Sequence, residues 1–257
     1  ASVKCWGSNW GGQLGDGSTS SSQTPVVVSG ITTAQQVSAG AHYACAVLAD
    51  KTIKCWGNNN NKQLGDGTVT DRSTPVSVSG LSNASKVSVS RWGEGISCAV
   101  LDNGSVQCWG SSSKVGIDTS SNQFSPVTVD NITTASQFSV GIDHTCARLS
   151  NGTVKCWGYG SNGRLGNGST SSSKTPVVVS GITTAKQVSA SHTHSCAVLS
   201  DKTVKCWGDN SWKQLGDGTV TDRSTPVTVS GVSNASMVSL SRYSSTYYGF
   251  SCALLEN

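Results

Sequence analysis

The chain has 257 residues, of which only 12% are charged, and its net charge of +4 is spread along the sequence without a block of Lys or Arg. That distribution argues against a nucleic-acid partner. No apolar run approaches the roughly 18 residues that a membrane-spanning helix needs, so we expect no membrane span. A period of about fifty residues instead predicts a repeat architecture.

The first unit shows the elements that every later unit repeats. A strand over Val3–Gly7 leads into a Gly/Asn loop, a polar Ser/Thr stretch and a second strand that starts at Thr24-Pro25. A third strand starts at Gln36, and a fourth surrounds Cys45. Proline is tolerated at the start of a strand, because its missing N–H needs no partner there. No segment has a helical period, so the chain is predicted to be all-β.

Ten cysteines recur as pairs with one fixed spacing. Nine residues separate the members of four pairs, and nine also separate Cys252 from Cys5 when the ends of the chain are joined. An even number of regularly spaced cysteines indicates disulfides and an oxidising compartment, whereas reduced buried cysteines or a zinc site are the alternatives. The predicted pairs are Cys5–Cys252, Cys45–Cys55, Cys98–Cys108, Cys146–Cys156 and Cys196–Cys206.

The spacing within each pair predicts a hairpin. A three-residue loop over residues 102–104 places Cys98 opposite Cys108, whereas a two-residue turn would put Cys108 on the other face of the strand. Such a loop ends in a left-handed residue, which suits Gly104 better than Lys51 of another unit. Directly opposite residues in antiparallel strands are close enough for a disulfide.

The repeated motif is W-G-x-N-x-x-x-Q-L-G-D-G, then T-P-V-x-V-x-G, then V-S-x-G-x-x-H-[TS]-C-A-x-L. In these residues the chain resembles the RCC1 repeat family over its whole length. The resemblance implies a β-propeller, which in that family usually has seven four-stranded blades. With five repeats, we expect a single domain over residues 1–257 with five blades of four antiparallel strands. Its N-terminal strands would complete the last blade, and Cys5–Cys252 would close the ring.

The most variable segments lie just before the upstream cysteine of each unit. Because blade loops emerge on one face or the other, these five segments should ring one opening. The two longer segments carry Arg, Trp and Tyr, which are enriched at binding hot spots. We predict that they bind a protein partner, the alternative being a loop edge without function. The candidates are His42, Tyr43, Arg91, Trp92, Glu94, Asp143, His192, Arg242, Tyr243, Tyr247 and Tyr248.

A second candidate face follows each W-G pair. Exposed Trp and Tyr beside Asn and Gly would stack on a sugar ring and hydrogen-bond its hydroxyls, which predicts a glycan partner. The alternative is a turn that is rich in Asn and Gly because it needs left-handed residues. The candidates are Trp10, Asn60, Lys62, Tyr159, Trp212 and Lys213.

The residues favour a binding module over an enzyme. No catalytic triad or carboxylate pair stands out, and we predict no cofactor. His192 and His194 could share a metal, but His144 and His194 occupy the family's usual His position, where a structural hydrogen bond is expected, so no metal is predicted.

We therefore expect a secreted, non-enzymatic, disulfide-containing propeller that binds a protein through its variable loops. The alternatives are self-association into a surface layer or filament, and a carbohydrate-binding lectin. The resemblance also implies the role of the family's nuclear member, a nucleotide exchange factor on chromatin. The cysteine pairs and the weak basicity argue against that role here.

Overall fold

The computed structural model describes residues 1–90, 95–112, 116–241 and 249–256. These residues form β-strands joined by turns and loops, with a turn of 3₁₀ helix at Ser161–Gly163. The chain divides into two compact units, residues 1–115 with 119–129 and residues 116–118 with 130–257. Within the described ranges, no helix has the length and apolar character needed to cross a membrane.

The first unit contains three antiparallel sheets. A two-stranded sheet pairs β1 (Lys4–Gly7) with β2 (Ser22–Val27). The next sheet has four strands in sequence order, β3 (Ala34–Ala39), β4 (Tyr43–Leu48), β5 (Ile53–Gly57) and β6 (Arg72–Ser77). The third sheet repeats that order with β7 (Ala84–Val89), β8 (Ile96–Leu101), β9 (Val106–Gly110) and β10 (Gln123–Thr128).

The second unit also contains three antiparallel sheets. Its first sheet consists of β11 (Ala135–Val140), β12 (His144–Leu149), β13 (Val154–Gly158) and β14 (Ser173–Val178). Its second sheet consists of β15 (Ala185–Ala190), β16 (His194–Leu199), β17 (Val204–Gly208) and β18 (Arg223–Thr228). A two-stranded sheet then pairs β19 (Ala235–Leu240) with β20 (Ser251–Leu255).

The central hairpin of each four-stranded sheet has the predicted geometry. In the β8–β9 turn, the Leu101 N–H donates to the Ser105 carbonyl oxygen at 2.9 Å, and Gly104 has a φ of 80°. Lys51 takes the same left-handed position with a φ of 63°. The three-residue loop is therefore confirmed, even where the left-handed residue is not glycine.

That hairpin brings four of the predicted cysteine pairs into register. Cys98 lies directly opposite Cys108, with their Cα atoms 4.1 Å apart. The confirmed disulfides are Cys45–Cys55, Cys98–Cys108, Cys146–Cys156 and Cys196–Cys206. Each joins the second and third strands of one four-stranded sheet.

The fifth predicted disulfide is not formed in the structure, where Cys5 and Cys252 are the free cysteines of the described chain. The reason is that β1 pairs with β2 and β20 pairs with β19 in separate two-stranded sheets. The other four disulfides join two neighbouring strands of one sheet. Cys5 and Cys252 lie in different sheets, so they are not on neighbouring strands. Closure of a ring through these strands stays a prediction, as does a single domain over residues 1–257.

The repeated prolines lie within the outermost strands and not at their starts. Pro75 is the fourth residue of β6, and the pairing of β6 with β5 is irregular between Arg72 and Val76. Proline lacks an N–H, so it fits where the ladder of hydrogen bonds is already interrupted on an edge strand. The expectation that each proline begins a strand is therefore wrong by a few residues.

Neighbouring sheets within a unit pack through the C-W-G tryptophans of β5, β9 and β17. Trp109 is fully buried among Tyr43, Val47 and Leu64 of the preceding sheet and its loop. Its indole N–H donates to the carbonyl oxygen of Gln63 at 2.9 Å. Trp56 and Trp207 donate in the same way to the carbonyl oxygens of Gln13 and Arg164. These tryptophans therefore fix the position of the loop that follows the preceding C-W-G motif.

Candidate functional site

The two groups of candidate residues lie at the same end of each sheet. Strand direction alternates in an antiparallel sheet, so the first-to-second and third-to-fourth connections leave from one end. Accordingly, the His42 carbonyl oxygen accepts a hydrogen bond from the Asn58 N–H at 2.9 Å. The Asp143 carbonyl oxygen accepts one from the Tyr159 N–H at the same distance. The prediction of two separate faces is therefore corrected to one surface in each unit.

We refer to this end as the loop-end surface. In the first unit it comprises residues 8–13, 41–42 and 58–63, and in the second unit residues 142–143, 159–164, 192–193 and 209–214. Seven of the predicted partner-binding residues lie outside the described part of the chain: Arg91, Trp92, Glu94, Arg242, Tyr243, Tyr247 and Tyr248.

In the first unit, an exposed tryptophan forms one wall of a cleft. Trp10 is 59% exposed, and its ring centroid lies 4.7 Å from that of His42, with the two planes tilted by 58°. The cleft has a volume of about 200 Å³ and is also lined by Asn58, Asn60 and Asn61. It therefore combines an aromatic wall with several amide groups.

The loop that carries these amides is held by its own polar side chains. The Asn58 side-chain oxygen accepts a hydrogen bond from Gln63 Nε2 at 2.8 Å, and the Gln63 side-chain oxygen accepts one from the Asn61 N–H at 2.8 Å. Asp71 Oδ1 accepts a further bond from the Asn59 N–H at 2.7 Å. The loop is thus held in place by hydrogen bonds within the protein.

Two predicted lysines have different surroundings. Lys62 Nζ lies 3.4 Å from the ring centroid of Phe124 and donates to the carbonyl oxygen of Asn122 at 3.1 Å. Lys62 therefore interacts with the neighbouring sheet of its own unit. Lys213 is exposed and has a φ of 64°, which places it at the left-handed position of a turn.

Tyr43 is a core residue, which corrects its prediction as a partner-binding residue. It is only 3% exposed, and its hydroxyl donates to the carbonyl oxygen of Ile96 at 2.6 Å. The same hydroxyl lies 3.3 Å from Ser97 Oγ and accepts a bond from the Ser90 N–H. Burial raises the pKa of Tyr43 to about 12, although hydrogen bonds with Ser90 and Ser97 oppose the shift.

In the second unit, two predicted residues meet at a buried arginine. His192 Nε2 lies 3.2 Å from Asp143 Oδ2, and Arg164 Nη1 lies 3.5 Å from the same oxygen. Arg164 also donates to the carbonyl oxygens of His192 and Ser161. Burial lowers the pKa of Arg164, while the charge of Asp143 opposes that change.

Sequence reasoning missed Arg164. It stands at the position where the repeated Q-L-G motif has Gln13, Gln63 and Gln214, and the replacement of Gln by Arg was the available signal. Its guanidinium contacts two of the variable loops of the second unit, so Asp143, His192 and Arg164 form a polar cluster on the loop-end surface.

Two further aromatic residues are exposed on the second unit's loop-end surface. Tyr159 is 45% exposed and Trp212 is 48% exposed. The Trp212 N–H donates to Gln214 Oε1 at 2.9 Å, which repeats the Asn61–Gln63 contact of the first unit. Both units therefore present exposed aromatic side chains on loops of fixed conformation.

The buried histidines are structural, as predicted. His144 Nε2 lies 2.6 Å from Ser195 Oγ, and His194 Nε2 lies 3.0 Å from Ser251 Oγ. Burial lowers the pKa of His194 to about 4, although the charge of Asp209 opposes the shift, so this histidine is neutral at physiological pH. Among the described residues, no group of three or more His, Cys, Asp or Glu side chains is placed to hold a metal ion.

Comparison with protein families gives matches over most of the chain. Two family models match, and both are described as the Regulator of chromosome condensation (RCC1) repeat. The first matches residues 2–47, 55–100, 151–198 and 203–247, and the second matches residues 34–63 and 135–164. No curated protein matches the chain at the significance that we required.

Solved structures share the fold. The chain is similar to yeast RCC1 (Prp20) in its complex with Kap60, with 20% identity, a TM-score of 0.77 and coverage of 94% of this chain and 60% of that one. It is similar to Prp20p from Saccharomyces cerevisiae, with 21% identity, a TM-score of 0.79 and coverage of 94% and 62%. It is also similar to human WBSCR16, with 20% identity, a TM-score of 0.81 and coverage of 98% of this chain and 67% of that one.

These likenesses confirm the predicted fold class, an all-β propeller built from four-stranded antiparallel blades. At such identities they show the fold alone. The chain spans about three fifths of the length of the Prp20 structures that it matches.

Proposed function

Because this chain belongs to the RCC1 repeat family, we propose that it is a non-enzymatic module whose loop-end surface binds a protein partner. Solved relatives support the general role. Yeast RCC1 (Prp20) was solved bound to Kap60, and the study of Prp20p also describes its binding to Gsp1p and histones. Those structures share only the fold of this chain, so their partners do not identify the partner of this chain.

The exposure of large aromatic side chains at one end of each unit carries this proposal. Trp10, Tyr159 and Trp212 are each about half exposed, and all three lie on the loop-end surface. Tryptophan and tyrosine are enriched among the residues that contribute most to binding at protein interfaces. A surface that exposes them on loops held by internal hydrogen bonds loses little conformational entropy on binding.

The Asp143–His192–Arg164 cluster adds charge to the same surface. The Asp143 carboxylate lies within 3.5 Å of both the Arg164 guanidinium and the His192 imidazole, and its side chain is 29% exposed. Partly exposed charged groups at the rim of an interface contribute to specificity and association rate more than to affinity. We expect the cluster to contribute to partner choice in that way.

A non-enzymatic role is consistent with how the buried polar groups are used. His144 and His194 lie against serine hydroxyls of the next sheet, and burial keeps both imidazoles neutral. Their hydrogen bonds join sheets to one another. We propose on this basis that the module acts through binding.

An extracellular location is the second part of the proposal. Four disulfides lie across the centres of four sheets, and their sulfurs are buried. Disulfides of this kind form and persist in oxidising compartments. We propose that the protein works outside the cell or at its surface.

A pull-down from the extracellular fluid of the source tests the function. The bait is compared with the double variants Trp10→Ala/Asn60→Ala and Tyr159→Ala/Trp212→Ala, which alter the loop-end surface of one unit each. Lys51→Ala/Lys202→Ala is the matched control, because these exposed lysines lie in the turns at the opposite end of their sheets.

We expect a protein to be captured by the wild type and the control, and at least tenfold less of it by one of the loop-end variants. Equal capture by all four baits would contradict the proposal. Recovery of nothing but copies of the chain itself would also contradict it and would favour the self-association alternative.

A further inference from the structure

We propose that the cleft beside Trp10 is a binding site for a neutral saccharide, with one pyranose ring stacked on the indole. The site shares Trp10 and Asn60 with the proposed protein-binding surface, but the inference concerns one cleft of the first unit and a small ligand, and its test contains no protein partner. The structure brings together, in this cleft, residues of the loop after β1, of the β3–β4 connection and of the loop after β5.

The first argument is the chemistry of the cleft walls. The described lining combines the rings of Trp10 and His42 with the side-chain amides of Asn58, Asn60 and Asn61. Ligand sites are usually concave, with an aromatic surface and a few well-placed polar groups. A cleft of about 200 Å³ with this lining suits one small, uncharged and hydroxyl-rich ring.

The second argument is the state of Trp10. The indole contacts His42 at a ring separation of 4.7 Å, yet 59% of the residue remains exposed. An aromatic side chain that is exposed to water beside a cleft offers apolar surface that a ligand in the cleft can cover. One face of a pyranose consists of C–H groups, and stacking on the indole would remove that apolar surface from water.

The third argument is the hydrogen-bonding capacity at the rim. Among the described residues, the side-chain amides of Asn60 and Asn61 have no hydrogen-bond partner. Each amide offers two N–H donors and one carbonyl acceptor. Neighbouring sugar hydroxyls both donate and accept, so the two amides match the rim of a pyranose better than they match an anion or an apolar group.

The fourth argument is rigidity. Asn58 and Gln63 bond to each other, and each of them also accepts a hydrogen bond from a backbone N–H of the loop. The amides of Asn60 and Asn61 are therefore carried by a backbone that is already fixed. A weak, small ligand needs such pre-organisation, because it has little binding energy with which to order a loop.

Saturation-transfer difference NMR tests the site with four probes: the methyl glycosides of mannose, glucose, galactose and N-acetylglucosamine. We expect at least one of them to bind, with the strongest transfer to its ring C–H protons. The variants are Trp10→Ala, Trp10→Phe and Asn60→Ala. Trp6→Ala is the matched control, since Trp6 of β1 is a similarly exposed tryptophan of the same unit that does not line the cleft.

We expect Trp10→Ala to weaken binding at least tenfold, Asn60→Ala to weaken it several-fold, and Trp10→Phe to retain part of it. Trp6→Ala should bind as the wild type does. An unchanged melting temperature for Trp10→Ala would show that lost binding is not lost folding. The absence of transfer to all four probes would overturn the inference, as would binding that Trp10→Ala and Asn60→Ala leave intact.

Two further arms refine the ligand. A response confined to sialic acid would overturn the assignment to neutral sugars. A glycopeptide that ends in the responding sugar distinguishes a glycoprotein from a free saccharide as the source. Tighter binding of the glycopeptide would assign the cleft to a glycoprotein, and equal binding would assign it to the sugar alone. The probes contain no protein partner, so failure here leaves the proposed function standing.

Discussion

The imidazole Nε2 of His144 lies 2.6 Å from the hydroxyl of Ser195, the residue that precedes the upstream cysteine of the next sheet. The same relationship recurs between Tyr43 and Ser97 and between His194 and Ser251. A polar side chain thus contacts the following sheet at one repeated position. These side chains are buried or nearly so. We therefore expect the free energy of unfolding to change when the histidines are protonated, and also when any of these side chains is replaced.

The first prediction concerns pH. The pKa of His194 is about 4 in the folded protein, compared with about 6.5 in an unfolded chain. The folded state therefore binds this proton less readily, so the associated stability is complete above pH 6.5 and is lost as the pH falls towards 4. The shift corresponds to about 3 kcal/mol. Urea unfolding of the wild type and of His194→Gln, from pH 7 to pH 4, measures this loss.

The control for this prediction is the pH dependence of the variant itself. Carboxylates titrate equally in both proteins, so only the difference between their profiles reports His194. We expect that difference to shrink by a few kcal/mol over the pH window. Parallel profiles would show that the imidazole titrates normally and is not buried as described.

The second prediction concerns Tyr43. Tyr43→Phe removes the hydroxyl that bonds to Ile96 and Ser90, and the cost should be about 1–2 kcal/mol of unfolding free energy. Tyr159→Phe, at an exposed site, should change stability by less than about 0.5 kcal/mol. Both variants should retain the partner. Loss of binding in Tyr43→Phe at full stability would restore the interpretation of Tyr43 as a contact residue.

The third prediction concerns the close approach of Gly65 to a tryptophan. Gly65 has a φ of +67°, and a Cβ there would lie 2.7 Å from Trp109 Nε1. Gly65→Ala should therefore cost about 3 kcal/mol, from backbone strain together with overpacking. Gly67→Ala is the control, because Gly67 has a φ of +84° but no atom within 4 Å of its Cβ position. Equal thermal shifts for the two variants would mean that Trp109 does not occupy its described position.

The fourth prediction concerns the disulfides. Cys98→Ala/Cys108→Ala should lower the unfolding free energy by about 2–3 kcal/mol, because the bond restricts a short loop of the unfolded chain. Cys252→Ala removes a thiol that is free and exposed in the structure, so it should change stability little. A loss comparable to that of the double variant would instead establish the Cys5–Cys252 bond that the sequence predicts.

The strand order and the four disulfides followed from the sequence because they depend on local spacing. Nine intervening residues and a left-handed turn position place Cys98 opposite Cys108, whatever the rest of the chain does. Lys51 shows how strong this preference is, since it adopts a positive φ that glycine would take more easily.

The errors arose where a residue's role depends on the neighbouring sheet. Tyr43 precedes the upstream cysteine just as His144 does, but one hydroxyl in a variable segment looks the same whether it faces solvent or the next sheet. Arg164 contacts Asp143 and the His192 carbonyl oxygen, which lie on two other loops. The spacing of residues within its own motif gives no information about those contacts. The two candidate faces lie at one end of each sheet because strand direction alternates. Four antiparallel strands in each repeat, as predicted from the sequence, were enough to place both connections at that end.

The most direct test of the proposed function is hydrogen–deuterium exchange of the protein alone and bound to the captured partner. Binding through the loop-end surface predicts slower exchange in residues 8–13 and 58–63, or in residues 159–164 and 209–214. The turns at the opposite end, residues 49–52 and 200–203, should exchange as in the free protein. Protection confined to those turns or to the outermost strands would contradict the account.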